Sequence, residues 1–350
     1  MTDQTKKLVA TVSIVVLTVL VAIPAIAGQD EKTSWGDPDL RGRWDFRSST
    51  PFQRPERFKD KEFLTAEEVA EYESERAQAR EDRIAGVNRE EYTESQSDVD
   101  VGYNAFFIDN GVKMSGTMRT SLIVDPPDGR LPALTDSGIQ RARARYATWG
   151  QAPATPADRP TSVRCITGFN SGPPITPGAY NNMMEVFQTE DYVAIYTEMV
   201  NDHRIIPLDN SEHLPEDMRL WKGDSRGRWV DDTLVVVTKN FNEYTAHQMT
   251  SKDMVLTEKF SRTEGGLLYE YTVDDPSSHV APWSTALEMV PTEDLVYEYA
   301  CHEGNLAMML MLRGARLQEE AGGGQGTDAQ EDQWLASWYR DAAAAVQEDK

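Results

Sequence analysis

From Met184 onward the chain is a succession of short apolar-rich runs separated by turn residues. They are Met184–Thr189, Tyr192–Met199, His203–Pro207, Arg226–Val230, Thr233–Lys239, Met254–Arg262, Leu267–Val273, Trp283–Val290 and Asp294–Ala300. Within several of them polarity alternates with a period of two, as it does in strands with two different faces. Leu267, Tyr269, Tyr271 and Val273 share one face, with Leu268, Glu270 and Thr272 opposite. Leu295, Tyr297, Tyr299 and Cys301 share another, and Tyr192, Ala194, Tyr196 and Glu198 a third. The joints at Glu190-Asp191, Asp231-Asp232, Thr263–Gly266 and Pro291–Glu293 are tight. No helix long enough for a crossover intervenes, so the pattern predicts an antiparallel up-and-down meander. Nine such strands are enough to close into a barrel, which removes exposed edges; an open sheet and a sandwich are the alternatives. Tyrosine mixed with carboxylate on one face suits the wall of a polar, aromatic cavity. The same pattern also covers an ordinary core, ring inside and hydroxyl at the surface.

The N-terminal half is less regular. Trp35 to Arg57 is dense in proline, which forbids a regular helix, and in aromatics, which call for burial. It reads as an extended arm laid over the body. Thr65-Ala66-Glu67-Glu68 is a capping box that opens a charged surface helix reaching about Ile84, followed by an acidic loop to Val101. Tyr103–Ile108 and Thr117–Val124 read as strands, Asp125–Gly129 as a turn, and Asp136–Trp149 as a short basic helix. Two proline-rich loops follow, Gln151–Pro160 and Ser171–Pro177. At the other end, Asn305–Gln318 is a Met- and Leu-rich helix. Gly322–Gly324 breaks the chain, and the tail from Asp328 carries Trp334 and Trp338 in an amphipathic pattern that suits a loosely docked helix. The division is thus a leader over 1–27, an arm and surface helix over 28–102, a β domain over 103–320, and a linker with tail over 321–350.

The leader changes the picture most. Lys6 and Lys7 precede the uncharged run Leu8–Ile23, and Ala25-Ile26-Ala27 follows it. A basic start, an apolar run and an A-x-A site make a secretory signal, cleaved near Gly28; the alternative is an uncleaved anchor. No later run approaches spanning length, so no stable membrane span is expected after cleavage. The net charge of −23 repels phosphate backbones and argues against nucleic acid as a partner. The two cysteines, Cys165 and Cys301, both lie in the exported part, where a disulfide is the expected state. Two separate buried thiols are the alternative.

Several phrases together resemble an uncharacterised group of secreted bacterial proteins with a β-rich, lipocalin-like (calycin-type) look. They are Arg41-Gly42-Arg43-Trp44, the run Arg119 to Arg130, Gly223 to Trp229, Glu270 to Pro276, and Tyr299-Ala300-Cys301-His302-Glu303-Gly304-Asn305. The resemblance covers roughly residues 35–318 and implies a lipocalin-like barrel. It brings no activity and no catalytic residue.

Candidate chemistry is sparse. None of the five histidines has metal-ligand spacing, no phosphate-cradling loop or G-x-S-x-G elbow occurs, and no cofactor or metal is expected. Two polar clusters remain. Glu198, Asn201, His203 and Arg204 sit at a tight turn between strands. There a carboxylate can orient a histidine and an arginine can hold an anionic group. His302-Glu303 ends the last run beside Cys301, so a disulfide would tie it to the Cys165–Asn182 loop with Tyr180 and Asn182. Each cluster reads equally as a hydrogen-bonded corner without chemistry. His213 and His247 read as solvated.

These features define a periplasmic or secreted binder of a small molecule, using Arg204, Tyr180, Asn182 and Tyr196. The alternative is a hydrolase, lyase or isomerase on the same scaffold, with His203, His302, Glu198 and Glu303 as its acid-base groups. A structural partner of the envelope is a third reading. The expectation carried forward is that His203, Arg204, His302, Glu303, Tyr180, Asn182 and Glu198 approach one cavity at a barrel mouth.

Overall fold

The computed structural model describes residues 32–87, 108–149, 152–244 and 247–322. The leader, the acidic loop beyond residue 87, nearly all of the expected strand Tyr103–Ile108 and the tail lie outside the described residues.

Eight of the nine expected runs are strands, and their bounds differ little from those expected. They are β3 (Met183–Gln188), β4 (Tyr192–Thr197), β5 (Asp202–Pro207), β6 (Asp224–Val230), β7 (Thr233–Lys239), β8 (Val255–Arg262), β9 (Leu267–Asp274) and β10 (Trp283–Pro291). All their pairings are antiparallel. The capping box is present, Thr65 N–H donating to Glu68 Oε2 and Glu68 N–H to Thr65 Oγ1. It opens α1 (Ala66–Val87). The basic helix α2 spans Asp136–Trp149 and the Met-rich helix α3 spans Ala307–Glu320.

Two expectations are corrected by the sheet. The aromatic arm does not merely lie over the body: Gly42–Asp45 forms β1, inserted between β3 and β10. Trp44 of β1 enters the core and donates its indole N–H to the Leu40 carbonyl. Conversely, Asp294–Ala300 is not a strand. Its backbone bonds side chains of the β4–β5 turn: Tyr297 N–H donates to Glu198 Oε1 (3.3 Å) and Tyr299 N–H to Asn201 Oδ1 (3.0 Å). The alternation there reports no buried face, since Leu295 and Tyr297 stay 59% and 64% exposed. Similarly, the run Thr117–Val124 gives no full strand: Arg119 makes a single bridge to Phe63, and Ile123–Asp125 forms the short β2 on β10.

The strand order is β5-β4-β3-β1-β10-β9-β8-β7-β6, a mainly antiparallel sheet that curls into a nearly closed barrel. Between its first and last strands, β5 and β6, side-chain packing takes the place of a ladder. A Cβ on Gly227 of β6 would stand 2.7 Å from Leu208 Cδ2 and 2.8 Å from Ile206 Cγ2 of β5, so a side chain there would have to displace both. The interior is filled by large side chains, among them Trp44, Trp283, Tyr269, Phe260 and Met184. Tight hairpins close one end of the barrel. The other end, where β1, β4, β7 and β9 finish and β3, β5, β6, β8 and β10 begin, carries the longer connections. Function is sought at that rim.

Cys165 and Cys301 form a disulfide, with Cα atoms 5.8 Å apart. It ties the loop before β3 to the segment after β10. Reduction is expected to destabilise the fold by about 2–4 kcal/mol, since the loop it closes is long. Melting with and without reductant checks this; equal midpoints would refute a stabilising role.

Candidate functional site

The rim is covered by the loop from Cys165 to Asn182. Ile175 in that loop is buried in the barrel core and its N–H donates to the Tyr269 hydroxyl (3.0 Å). Asn182 staples the loop. Its Oδ1 accepts from Gly178 N–H and Asn170 Nδ2, and its Nδ2 donates to the Asp109 and Gly178 carbonyls. With both ends of its amide committed, Asn182 shapes the site more than it can bind within it.

Beside this loop lies a cleft of about 380 Å³ lined by Arg47, Asp109, Tyr180, Asn181, Asn182, Met183, Glu198 and Tyr299. Glu198 is 7% exposed and, among the described residues, has no direct cation partner. Burial raises its pKa above the ordinary carboxylate value, against hydrogen bonds from Tyr297 N–H and Asn181 and the more distant charge of Arg47. Arg47 is itself committed to Asp45 and Asp109 (2.5 Å to each). Tyr180 and Tyr299 stack at 6.3 Å, and burial with this neighbour pushes the Tyr299 hydroxyl up to about 12. The turn that carries Glu198 is strained: Val200 and Asn201 have φ of 56° and 51°, an unusual conformation for a β-branched residue. It is held because Asn201 Oδ1 accepts from the Tyr196 hydroxyl and Tyr299 N–H while its Nδ2 donates to the Tyr299 carbonyl.

The structure therefore brings Tyr180, Asn182 and Glu198 together, with Tyr196 joined to them through Asn201. The other four candidates lie elsewhere. His203 and Arg204 are consecutive in β5, so they face opposite sides. Arg204 points inward and forms a bidentate pair with Glu258 of β8 (2.6 and 3.1 Å), whose Oε1 also accepts from the Tyr269 hydroxyl. Every group in that triad is satisfied within the core. His203 faces outward and is exposed. His302 is exposed beside the disulfide, where it lines a shallower depression with Arg164 and Asn305, and Glu303 is exposed next to it. Neither imidazole hydrogen-bonds a carboxylate among the described residues.

Sequence reasoning missed Arg47 and Asp109, which reach the cleft from the N-terminal arm and from the end of a segment outside the described residues. It also misread His247, which is not simply solvated. Its ring stacks on Trp283 (5.7 Å) and its Nε2 lies 3.3 Å from the Tyr271 hydroxyl. The only signal was the alternation of β9, which sends Tyr271 inward; nothing local marks His247.

No family model matches the chain, and no curated protein matches it. Among solved structures, a crystal structure of a single-residue variant of the fluorescent protein UnaG is similar at 12% identity. The match covers 38% of this chain and 86% of that one, with a TM-score of 0.22. The barrel is defined here by its own strand order, and that likeness adds no argument about the site.

Proposed function

We propose that the protein binds a small molecule at the barrel rim, in the cleft of Glu198, Tyr180 and Tyr299, and works in the periplasm or outside the cell. The observation that carries the reading is Glu198 itself. A carboxylate kept out of water without a cation costs stability, and such groups concentrate at functional sites. The disulfide and the A-x-A site after the apolar run Leu8–Ile23 support export; among the described residues, no helix is long and apolar enough to cross a membrane. N-terminal sequencing of the secreted form should begin near Gly28.

The raised pKa of Glu198 also favours a second reading, in which the same carboxyl acts as a general acid on the bound molecule. Native mass spectrometry of the purified protein, with metabolites released and identified, tests the first. Glu198→Gln should lower ligand occupancy at least tenfold and raise the melting temperature at pH 7. The sign follows from the raised pKa, which makes ionisation of Glu198 a cost to the folded state that the amide does not bear. Equal occupancy in wild type and Glu198→Gln would sink the assignment. Turnover of the co-purified molecule by wild type, lost in Glu198→Gln with binding retained, would establish the second reading.

A further inference from the structure

Next to the Glu198 cleft the rim holds a smaller cavity of about 220 Å³, between the loop Pro160–Pro174 and the β7–β8 connection. Three rings stand around its opening and stay exposed: Phe169, Trp221 and Tyr244, at 46%, 37% and 43%. Trp221 and Tyr244 lie 6.3 Å apart with their planes at 40°. Large aromatics left in water around one concavity mark a binding surface more than a packing accident. Phe241, Met254 and His247 also line it.

Charge narrows the occupant. Among the described residues no carboxylate lines the cavity, so a cation would find no counter-charge from them. Its one cation, Lys222, is committed to Asp202 and to the His203 carbonyl. An anion would meet only Arg164, whose guanidinium lies over the Trp221 ring at 5.9 Å, on a chain of net charge −23. His247 is neutral at ordinary pH, because burial and then the nearby His279 hold its pKa down to about 3. Its Nε2 is engaged by Tyr271, whereas its Nδ1 has no protein partner among the described residues and can serve one neutral hydrogen bond.

We propose that this cavity is a subsite for a flat, uncharged ring system, stacked among Phe169, Trp221 and Tyr244 and hydrogen-bonded to His247. The inference deepens the ligand-binding reading. Phe169 packs edge-on against Tyr180 of the Glu198 cleft at 5.4 Å, so the two cavities adjoin across this ring pair.

A matched pair of dyes tests it on the intact protein: N-phenyl-1-naphthylamine, which is neutral, and its 8-sulfonate, which is anionic. The neutral dye should bind with enhanced fluorescence, at least tenfold more tightly than the sulfonate, and equally at pH 5.5 and 8. Trp221→Ala and Phe169→Ala should each weaken it about tenfold. Both positions are exposed, so their truncation spares the core, and unchanged melting checks this. The dye carries no polar arm for the Glu198 cleft, so its binding reads this cavity alone, and failure here leaves ligand occupancy of the Glu198 cleft to be judged by native mass spectrometry. No binding of the neutral dye, equal affinity for the sulfonate, or indifference to both truncations would overturn the proposal.

Discussion

Replacing Arg204 with methionine is expected to destabilise the protein by about 3–5 kcal/mol, a fall in melting temperature on the order of 10 °C for a domain of this size. Glu258 is fully buried, and Arg204 supplies both of its cationic hydrogen bonds. Without the guanidinium, Glu258 keeps only the Tyr269 hydroxyl and must bury an uncompensated charge or take up a proton. The pair also spans the interior from β5 to β8, across the seam where β5 and β6 lack a ladder. Pairing Arg204→Met with Glu258→Leu should recover most of the loss, because exchanging both partners for apolar groups removes the orphaned charge. Thermal melts of the two singles and the double form the cycle. A cost below about 1 kcal/mol for Arg204→Met would refute the role assigned to the pair.

Acid should destabilise the fold well before its carboxylates titrate. His247 and His279 both pack on the buried ring of Trp283. Burial depresses their pKa values from 6.5 to about 3 and about 4; His279 adds to the effect on His247, while Asp275 partly offsets that on His279. Unfolded, both imidazoles bind protons near pH 6.5; folded, neither does until pH 4 or below. Between those limits the unfolded chain holds more protons, so stability falls as pH falls. At one pKa unit per 1.36 kcal/mol, the pair is worth several kcal/mol by pH 4. Above about pH 7.5 the two contribute no pH dependence. Glu198 acts in the opposite sense, because its raised pKa favours the folded state in acid. Denaturant melts between pH 7.5 and 4.5 should therefore show a declining midpoint, and the double replacement His247→Gln with His279→Gln should flatten the decline. An unchanged slope in the double variant would remove the histidines as its cause.

Much of the barrel was legible from short-range pattern. The Leu267–Val273 alternation put Tyr269 and Tyr271 on one inward face of β9 because strand periodicity is a local property of the backbone. The turns at Asp231-Asp232 and Thr263–Gly266, the Thr65 capping box and the bounds of α2 were legible for the same reason: each depends on a few consecutive residues. The disulfide was readable by counting, since the two cysteines of the chain have only each other. Part of the candidate cleft was readable too: Glu198 from its place at a corner, Tyr180 and Asn182 from the loop that the disulfide ties down.

What failed needed partners distant in sequence. Four residues, Gly42–Asp45, look like any extended proline-flanked arm until β3 and β10 are placed on either side of them. Asp294–Ala300 alternates as a strand does, yet its hydrogen-bond partners are side chains of the β4–β5 turn. Alternation alone separates His203 from Arg204, but only the closed barrel showed that the inward partner is Glu258 and not a ligand. The sequence by itself thus determined the strands, their turns, the covalent tie and the acidic character of the surface, all set by neighbours or by composition. Tertiary structure decided which buried charge is structural, which carboxylate lacks a direct cation partner among the described residues, and that His247 stacks on Trp283, because burial and ionic pairing exist only once β5, β8 and the rim loops have met.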